Sequence, residues 1–370
     1  MSEDRQAGAS GATSVGDAVR APVLVSAAAC ERLLSPADVV GEVERALRWD
    51  AEGRVQWPAP HSLNIAPDRW GNDYHVKACV LEPIPVAGIR LVSHPADEGS
   101  PFCTRLIVLI DHATARPLAL VDESWNYVQR TVASIALAAR HLAVPFASRL
   151  AVVGAGRLAR TGVRYFANQF PLEEVRVFAR RIEAGEAFAA EIRSAYGLAA
   201  VAPRSAREAA DGADLVLTAT SAAGPVLEEA WIGPGTVVAC VGTAEPGAAL
   251  AERSDLFVVD SREQLRRELV ELFGELAPEW VGATVGEIVT GRHAGRTDPA
   301  QRILLVTEGL VSQDIALADL AYRRAIDAHL GVPLAFGPAL PADGAPPMAG
   351  EMPAPGALLA SPQETNRWRS

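Results

Sequence analysis

Apolar positions along the chain follow two different rhythms, and the change between them divides the sequence. Up to about residue 135 the apolar runs are short. "YHVKACVL" (Tyr74–Leu81), "AGIRLVSH" (Ala87–His94), "TRLIVLID" (Thr104–Asp111) and Leu118–Asp122 read as strands separated by loop-sized gaps. No helical pattern lies between them, so they predict an antiparallel or mixed sheet. Ahead of them, Ser35-Pro36-Ala37-Asp38 opens a helix that runs to Asp50, with Ser35 as N-cap and Pro36 in the first position. Farther on, the strands Arg149–Val153, Glu174–Phe178, Leu215–Ala219, Thr236–Val241 and Leu256–Val259 alternate with helical stretches, which implies a parallel sheet. Leu310–Leu330 reads as one amphipathic helix, expected to pack back on the first region.

The fold class predicted is α/β: a Rossmann-type parallel-sheet domain at 136–307, and a mixed α+β domain built from 21–135 with 308–332. Residues 1–20, small and polar, read as a disordered leader. Residues 333–370 read as a disordered tail, because eight of the 26 prolines fall there among Ala and Gly.

Composition narrows the class of function. A length of 370 residues, 49% of them hydrophobic, suits two domains with sizeable cores. A net charge of -11 argues against a nucleic-acid partner, because phosphate binding needs a basic face. No uncharged apolar run reaches membrane-spanning length, and the first twenty residues lack the basic patch and apolar stretch of a secretory signal. Cys30, Cys79, Cys103 and Cys240 are too scattered for a zinc knuckle or redox pair, so no metal is expected. Cys79, Cys103 and Cys240 lie in apolar runs and are expected to be buried free thiols. That fits a reducing, cytoplasmic location.

The sharpest local signal is "RLAVVGAGRLARTGVRYFA". An apolar strand ends at Val153, then Gly154-Ala155-Gly156-Arg157-Leu158-Ala159 leads into a helix. In this G-x-G-x-x-A pattern Gly154 permits the tight turn, Gly156 lets backbone approach a pyrophosphate, and Ala159 lets helix and strand pack closely. The cofactor expected is a nicotinamide dinucleotide, its phosphates set against Gly154, Gly156, Arg157 and Leu158 at the helix N-terminus. The end of the next strand meets the adenosine ribose. It reads Ala179-Arg180-Arg181 rather than Asp or Glu, and guanidinium suits a 2′-phosphate. The expectation is therefore NADP, with NAD possible. The competing reading of Arg180 and Arg181 is a solvated helix cap.

Further segments fall in a recognisable order: "ARPLALVDESWNYVQRTVASIALAARHLA", "VVGAGRLAR", "ADLVLTATSAAGPVL", "GEIVTGRHAGR" and "VTEGLVSQDIALADLAY". Together they make the chain resemble the ornithine cyclodeaminase/mu-crystallin family from about Leu24 to Gly331. The resemblance implies a homodimer whose mixed domain serves substrate binding and dimerisation. The family holds cyclodeaminases, ketimine reductases, amino-acid dehydrogenases and binding proteins. By resemblance Arg130 binds the substrate carboxylate and Thr131 lies by the nicotinamide. Thr218, Ala219, Thr220, Gly242 and Gly309 would border the cofactor. Arg130 also suits the task on its own chemistry, since its planar fork matches a carboxylate. A helix cap or inter-helix ion pair is the alternative for it.

Three positions depart from the family. Arg90 stands where a Lys is usual, and an Arg can hold charge but cannot shuttle protons. Ala244 stands where cyclodeaminases carry an Asp two residues before Pro-Gly. Adjacent Glu245 is displaced by one position, which reverses side-chain direction in extended backbone. The early Arg is missing from Trp57-Pro58-Ala59-Pro60-His61. Without the Asp, cyclisation should suffer more than simple hydride transfer. On "YHVKACV", His75, Lys77 and Cys79 share one face, so Lys77 is a candidate proton donor. An edge-strand Lys guarding against aggregation is the alternative reading. His61 and His94 are weaker candidates, His61 for substrate binding.

The function expected is an NAD(P)H-dependent oxidoreductase acting on the C–N bond of an amino or imino acid. Arg130 and Arg90 would hold carboxylate, and Lys77 would supply the proton. The alternatives are a cyclodeaminase using Glu245 and a non-catalytic NADP-binding protein.

Overall fold

The structure, a computed structural model, describes residues 21–65, 71–96 and 103–334. The leader and nearly all of the tail lie outside the described residues.

The chain enters through β1 (Val23–Val25), α1 (Ala27–Leu33) and α2 (Pro36–Ala51). The capping box read from Ser35 is present: its hydroxyl accepts from the Asp38 N–H while the Asp38 carboxylate accepts from the Ser35 N–H. Then come β2 (Val55–Gln56), β3 (Ser62–Ile65), β4 (Asp73–Leu81), β5 (Val86–His94), β6 (Arg105–Asp111) and β7 (Pro117–Asp122). Helix α3 (Asn126–Leu142) leads into the second half.

That half holds β8 (Arg149–Val153), α4 (Arg157–Gln169), β9 (Glu174–Phe178), α5 (Ile182–Tyr196), β10 (Ala199–Val201), α6 (Ala206–Ala210) and β11 (Leu215–Thr218). It continues with β12 (Val237–Cys240), α7 (Gly247–Arg253), β13 (Leu256–Val259), α8 (Arg262–Phe273), β14 (Val281–Thr284), α9 (Val285–Val289) and β15 (Ile303–Val306). Helix α10 (Val311–Asp327) and β16 (Val332–Pro333) return to the first sheet.

The first sheet is mixed, in the order β16-β1-β7-β6-β5-β4-β2 with β3 also on β4. Only β1 and β7 pair in parallel. The second sheet is wholly parallel, in the order β10-β9-β8-β11-β12-β15-β13-β14. Its central strands are buried on both faces, which is why they read as continuous apolar runs.

Two helices position the site. Helix α3 is buried along most of its length and packs against α2, α4, β12 and β15, joining the two sheets. Its small residues, Ala133, Ala136, Ala138 and Ala139, leave room for that crowding. Helix α10 lies across the first sheet at Gly88, where any Cβ would stand 2.4 Å from Ile315. A glycine in mid-strand is therefore the condition for α10 to approach this closely.

One expectation about cysteine is corrected. Cys79 and Cys240 are buried, but Cys103 is exposed, at the mouth of the sheet just before β6, its Sγ on the Ser93 carbonyl. Cys30, outside the three expected, is buried instead.

Candidate functional site

The glycine loop opens a cleft of about 930 Å³. Gly154 sits at φ +122, and a Cβ there would meet the Ala219 carbonyl oxygen at 2.3 Å. Only glycine fits both demands. Gly156 caps α4 with no side-chain hydrogen bond to the helix, and nothing lies within 4 Å of where its Cβ would be. The first-turn N–H groups of α4 thus face open space, a ready anion site. Arg157, Leu158, Ala179, Arg180, Arg181, Ala219 and Thr220 line the same cleft, and so does Tyr127. Arg180 and Arg181 are exposed at its rim. A dinucleotide's pyrophosphate and ribose fit what these residues offer.

Thr218 and Gly242 stand behind that wall rather than on it. Thr218 is fully buried. Both serve Glu245, whose carboxylate accepts from Thr218 Oγ1 (2.7 Å), Gly242 N (2.9 Å), Thr220 N (2.7 Å) and Thr220 Oγ1 (2.6 Å). With four donors and 1% exposure, Glu245 ties the strand ends of β11 and β12 together. It has no capacity left for a substrate amine, so the geometry removes it as a stand-in for the carboxylate missing at Ala244.

The second half of the site is a face of the first sheet. Register puts Lys77 opposite Arg90 and Arg90 opposite Ile107; in the next row His75 stands opposite Val92 and Val92 opposite Arg105. All share the face covered by α10, which the Tyr127 ring of α3 meets at Arg90 and Arg105. Lys77 also has Ser62 of β3 on its other side, so it does not stand on an edge strand and the aggregation-guard reading fails. Arg90 is buried, its Nε donating to Glu123 Oε2 at 2.8 Å and its Nη2 2.7 Å from Glu123 Oε1. Arg130 is buried too. Its Nε donates to Asp314 Oδ1 at 2.5 Å and its Nη1 to the Glu308 carbonyl at 3.3 Å. The other Asp314 oxygen lies 3.7 Å from Arg90 Nε, so one carboxylate of α10 joins both guanidiniums. Burial, then the charge of Asp314, pushes the Glu123 carboxyl up to about 7.

Gly309 explains how Arg130 gets there. A Cβ at Gly309 would fall on the guanidinium itself, and its φ is +86. Its N–H donates to buried Asp260. Gly309 therefore holds Arg130 in place from behind. Thr131 is buried and turns its hydroxyl back to the Tyr127 carbonyl at 2.7 Å. His61 stacks on Trp57 at 5.0 Å and lies 3.6 Å from Glu263 of α8, at the border of the two sheets. His94 Nδ1 stands 2.7 Å from Asp73 Oδ1, and His75 Nε2 stands 3.7 Å from the same oxygen.

Several residues here escaped the sequence reading. The Tyr127 ring faces three guanidiniums, those of Arg105 (4.0 Å), Arg130 (5.4 Å) and Arg90 (5.8 Å). Its position three residues before Arg130 was the available signal, since i and i+3 share a helix face. Glu268 of α8 hydrogen-bonds to Glu308 and accepts from Thr243 Oγ1 at 2.9 Å. Burial and that carboxyl neighbour push Glu268 up to about 7. Gln264 Nε2 steadies the Glu308 carboxylate at 2.8 Å.

A parallel sheet with an uncapped helix N-terminus over a cleft, and a cluster of buried guanidiniums beside it, define a dinucleotide-binding α/β protein. Residues 20–329 match the ornithine cyclodeaminase/mu-crystallin family, and the chain belongs to it. It is 28% identical over 317 residues to the alanine dehydrogenase of Archaeoglobus fulgidus, covering 83% of this chain and 96% of that protein. Among solved structures, Δ1-pyrroline-2-carboxylate reductase of Thermococcus litoralis, in complex with NADH and L-proline, superposes with a TM-score of 0.78. It is 27% identical and covers 84% of this chain and 100% of its own. An archaeal alanine dehydrogenase dimer with bound NAD gives a TM-score of 0.76 at 25% identity, over 85% of this chain and 99% of that one.

Proposed function

We propose that this protein is an NAD(P)H-dependent oxidoreductase of the C–N bond, reducing an imino acid or a keto acid condensed with an amine. The carrying observation is Tyr127, which lines the dinucleotide cleft and presents its ring to the Arg90–Arg130 cluster. A substrate whose carboxylate meets Arg130 is thereby set beside the cleft. When bound, the reduced dinucleotide supplies hydride to the imine carbon and is left oxidised, while a proton goes to the nitrogen. Arg130 and Arg90 orient the carboxylate with the donors that Asp314 and Glu123 leave open. Lys77 gives the proton, and the Glu268–Glu308 carboxyl pair, close enough for its charge to act on Glu268, returns it.

The test is a screen with the purified full chain. Oxidation of NADPH and NADH is followed with keto acids plus amines and with cyclic imino acids. Oxidation with at least one is expected, and ammonia release from ornithine or lysine with either cofactor is not. Conversion of ornithine to proline at a substantial rate would overturn this reading.

Arg180 and Arg181 at the cleft rim favour NADPH over NADH, although the solved relatives named above hold NADH or NAD. Arg180→Asp should narrow or reverse the gap, each lost charge-assisted contact costing about 1.5–3 kcal/mol. Titration of both cofactors against wild type and variant decides it, and equal wild-type affinities defeat the preference.

A homodimer through the outer face of the first sheet completes the proposal. Register brings Tyr74 beside Ile65, Val76 between Leu63 and Leu91, and Ala78 beside Ile89, all turned away from α10. Leu63 and Ile65, each 58% exposed, and Ile89 form an apolar patch of the kind that marks an interface.

A further inference from the structure

Three guanidiniums surround the Tyr127 ring, but their charges are not equally met. Arg90 is paired with Glu123, and Arg130 with Asp314. Arg105 has no carboxylate partner among the described residues. Its guanidinium lies nearest the ring, at 4.0 Å, and the side chain is half-buried. Register places it on the same sheet face as Arg90, one row toward the strand ends. A half-buried cation with no carboxylate against it among the described residues is costly unless an anion arrives to meet it.

We infer that the substrate carries a second carboxylate and that Arg105 holds it. The inference rests on the oxidoreductase reading and names its substrate class: a short dicarboxylic imine, such as that from a dicarboxylic keto acid and ammonia. One carboxylate meets Arg130 and Arg90. The other meets Arg105 across the Tyr127 ring, so the two acid groups straddle that ring. The distal carboxylate takes no part in bond making. It fixes the imine's orientation over Tyr127, and hence which carbon faces the cleft.

The alternative is that Arg105 merely packs on Tyr127, a cation–π contact that serves the fold. Steady-state kinetics on the full chain with reduced cofactor and ammonia separates the two, using pyruvate as the monocarboxylic probe and oxaloacetate and 2-oxoglutarate as the dicarboxylic ones. A dicarboxylate should exceed pyruvate in kcat/KM by roughly 10- to 100-fold, the scale of a charge-assisted pair. Arg105→Met should collapse that ratio toward one, chiefly by raising KM for the diacid. Equal kcat/KM for both classes in wild type, or an equal loss for both in the variant, overturns the inference. Should no keto acid be turned over, the oxidoreductase reading is what has failed. Calorimetric titration of succinate and of propionate into the protein with oxidised cofactor still decides the role of Arg105. Succinate should bind more tightly than propionate in wild type and lose that advantage in Arg105→Met. Succinate binding that is absent, no tighter than propionate, or unchanged in the variant rejects the proposal.

Discussion

Replacing Lys77 with alanine should slow imine reduction by about 10²–10⁴-fold, the usual worth of general acid catalysis. Cofactor affinity should stay the same, because Lys77 lies on the first sheet and the cleft is built from the second. Lys77→Arg should not rescue the rate, since Arg keeps the charge but cannot release a proton at neutral pH. The arginine variant is the more informative of the two. It preserves the register with Arg90 and the charge facing Glu268, and removes only proton transfer. Normal turnover in Lys77→Arg would reduce Lys77 to a charge in the pocket and leave the Glu268–Glu308 pair or water as the source.

Asp314→Ala should destabilise the fold by about 3–5 kcal/mol, the cost of stripping one partner from a buried ion pair. Both Asp314 and Arg130 are almost fully buried, and the same carboxylate also approaches Arg90. Two guanidiniums would then share Glu123 alone. Glu123 would respond in a definite direction: without the negative charge beside it, its raised carboxyl should fall back toward the usual range and ionise more readily. That offsets part of the loss. Denaturant unfolding gives the number, and a change within about 0.5 kcal/mol of wild type would mean that the pair contributes nothing to stability.

What the residue pattern revealed, and what it concealed, follows from the range of the interactions concerned. Ser35 and Asp38 reveal a helix start because both halves of a capping box lie within four residues. Gly154 and Gly156 reveal the cleft for the same reason. The strands appear because alternation and short apolar runs are local signals, although three-residue Val23–Val25 is too short to stand out. Alternation also puts His75, Lys77 and Cys79 on one face, but does not say which face meets a helix. Arg105 begins its strand like any surface residue; only its pairing with Val92 turns it toward Tyr127. Asp314 is a first-turn acid of a helix far along the chain, and nothing near it announces Arg130. Glu245 misleads in the opposite sense. It looks like a relocated catalytic acid and is instead consumed by four donors, three of them on Thr218 and Thr220, 27 and 25 residues earlier.

The carboxylates on Arg90 and Arg130 also bear on how a ligand is chosen. A free arginine loses up to about 2 kcal/mol of rotamer entropy when a ligand immobilises it. Here Glu123, Asp314 and the Gly309 backbone have already arrested both side chains when the chain folds. On the proposed reading, an arriving acid would find donors whose directions it cannot alter. Small differences in the spacing of its own oxygen atoms then translate directly into affinity, where mobile arginines would follow the ligand and blur the distinction. On that reading the rigid pair would make the site a gauge of molecular length.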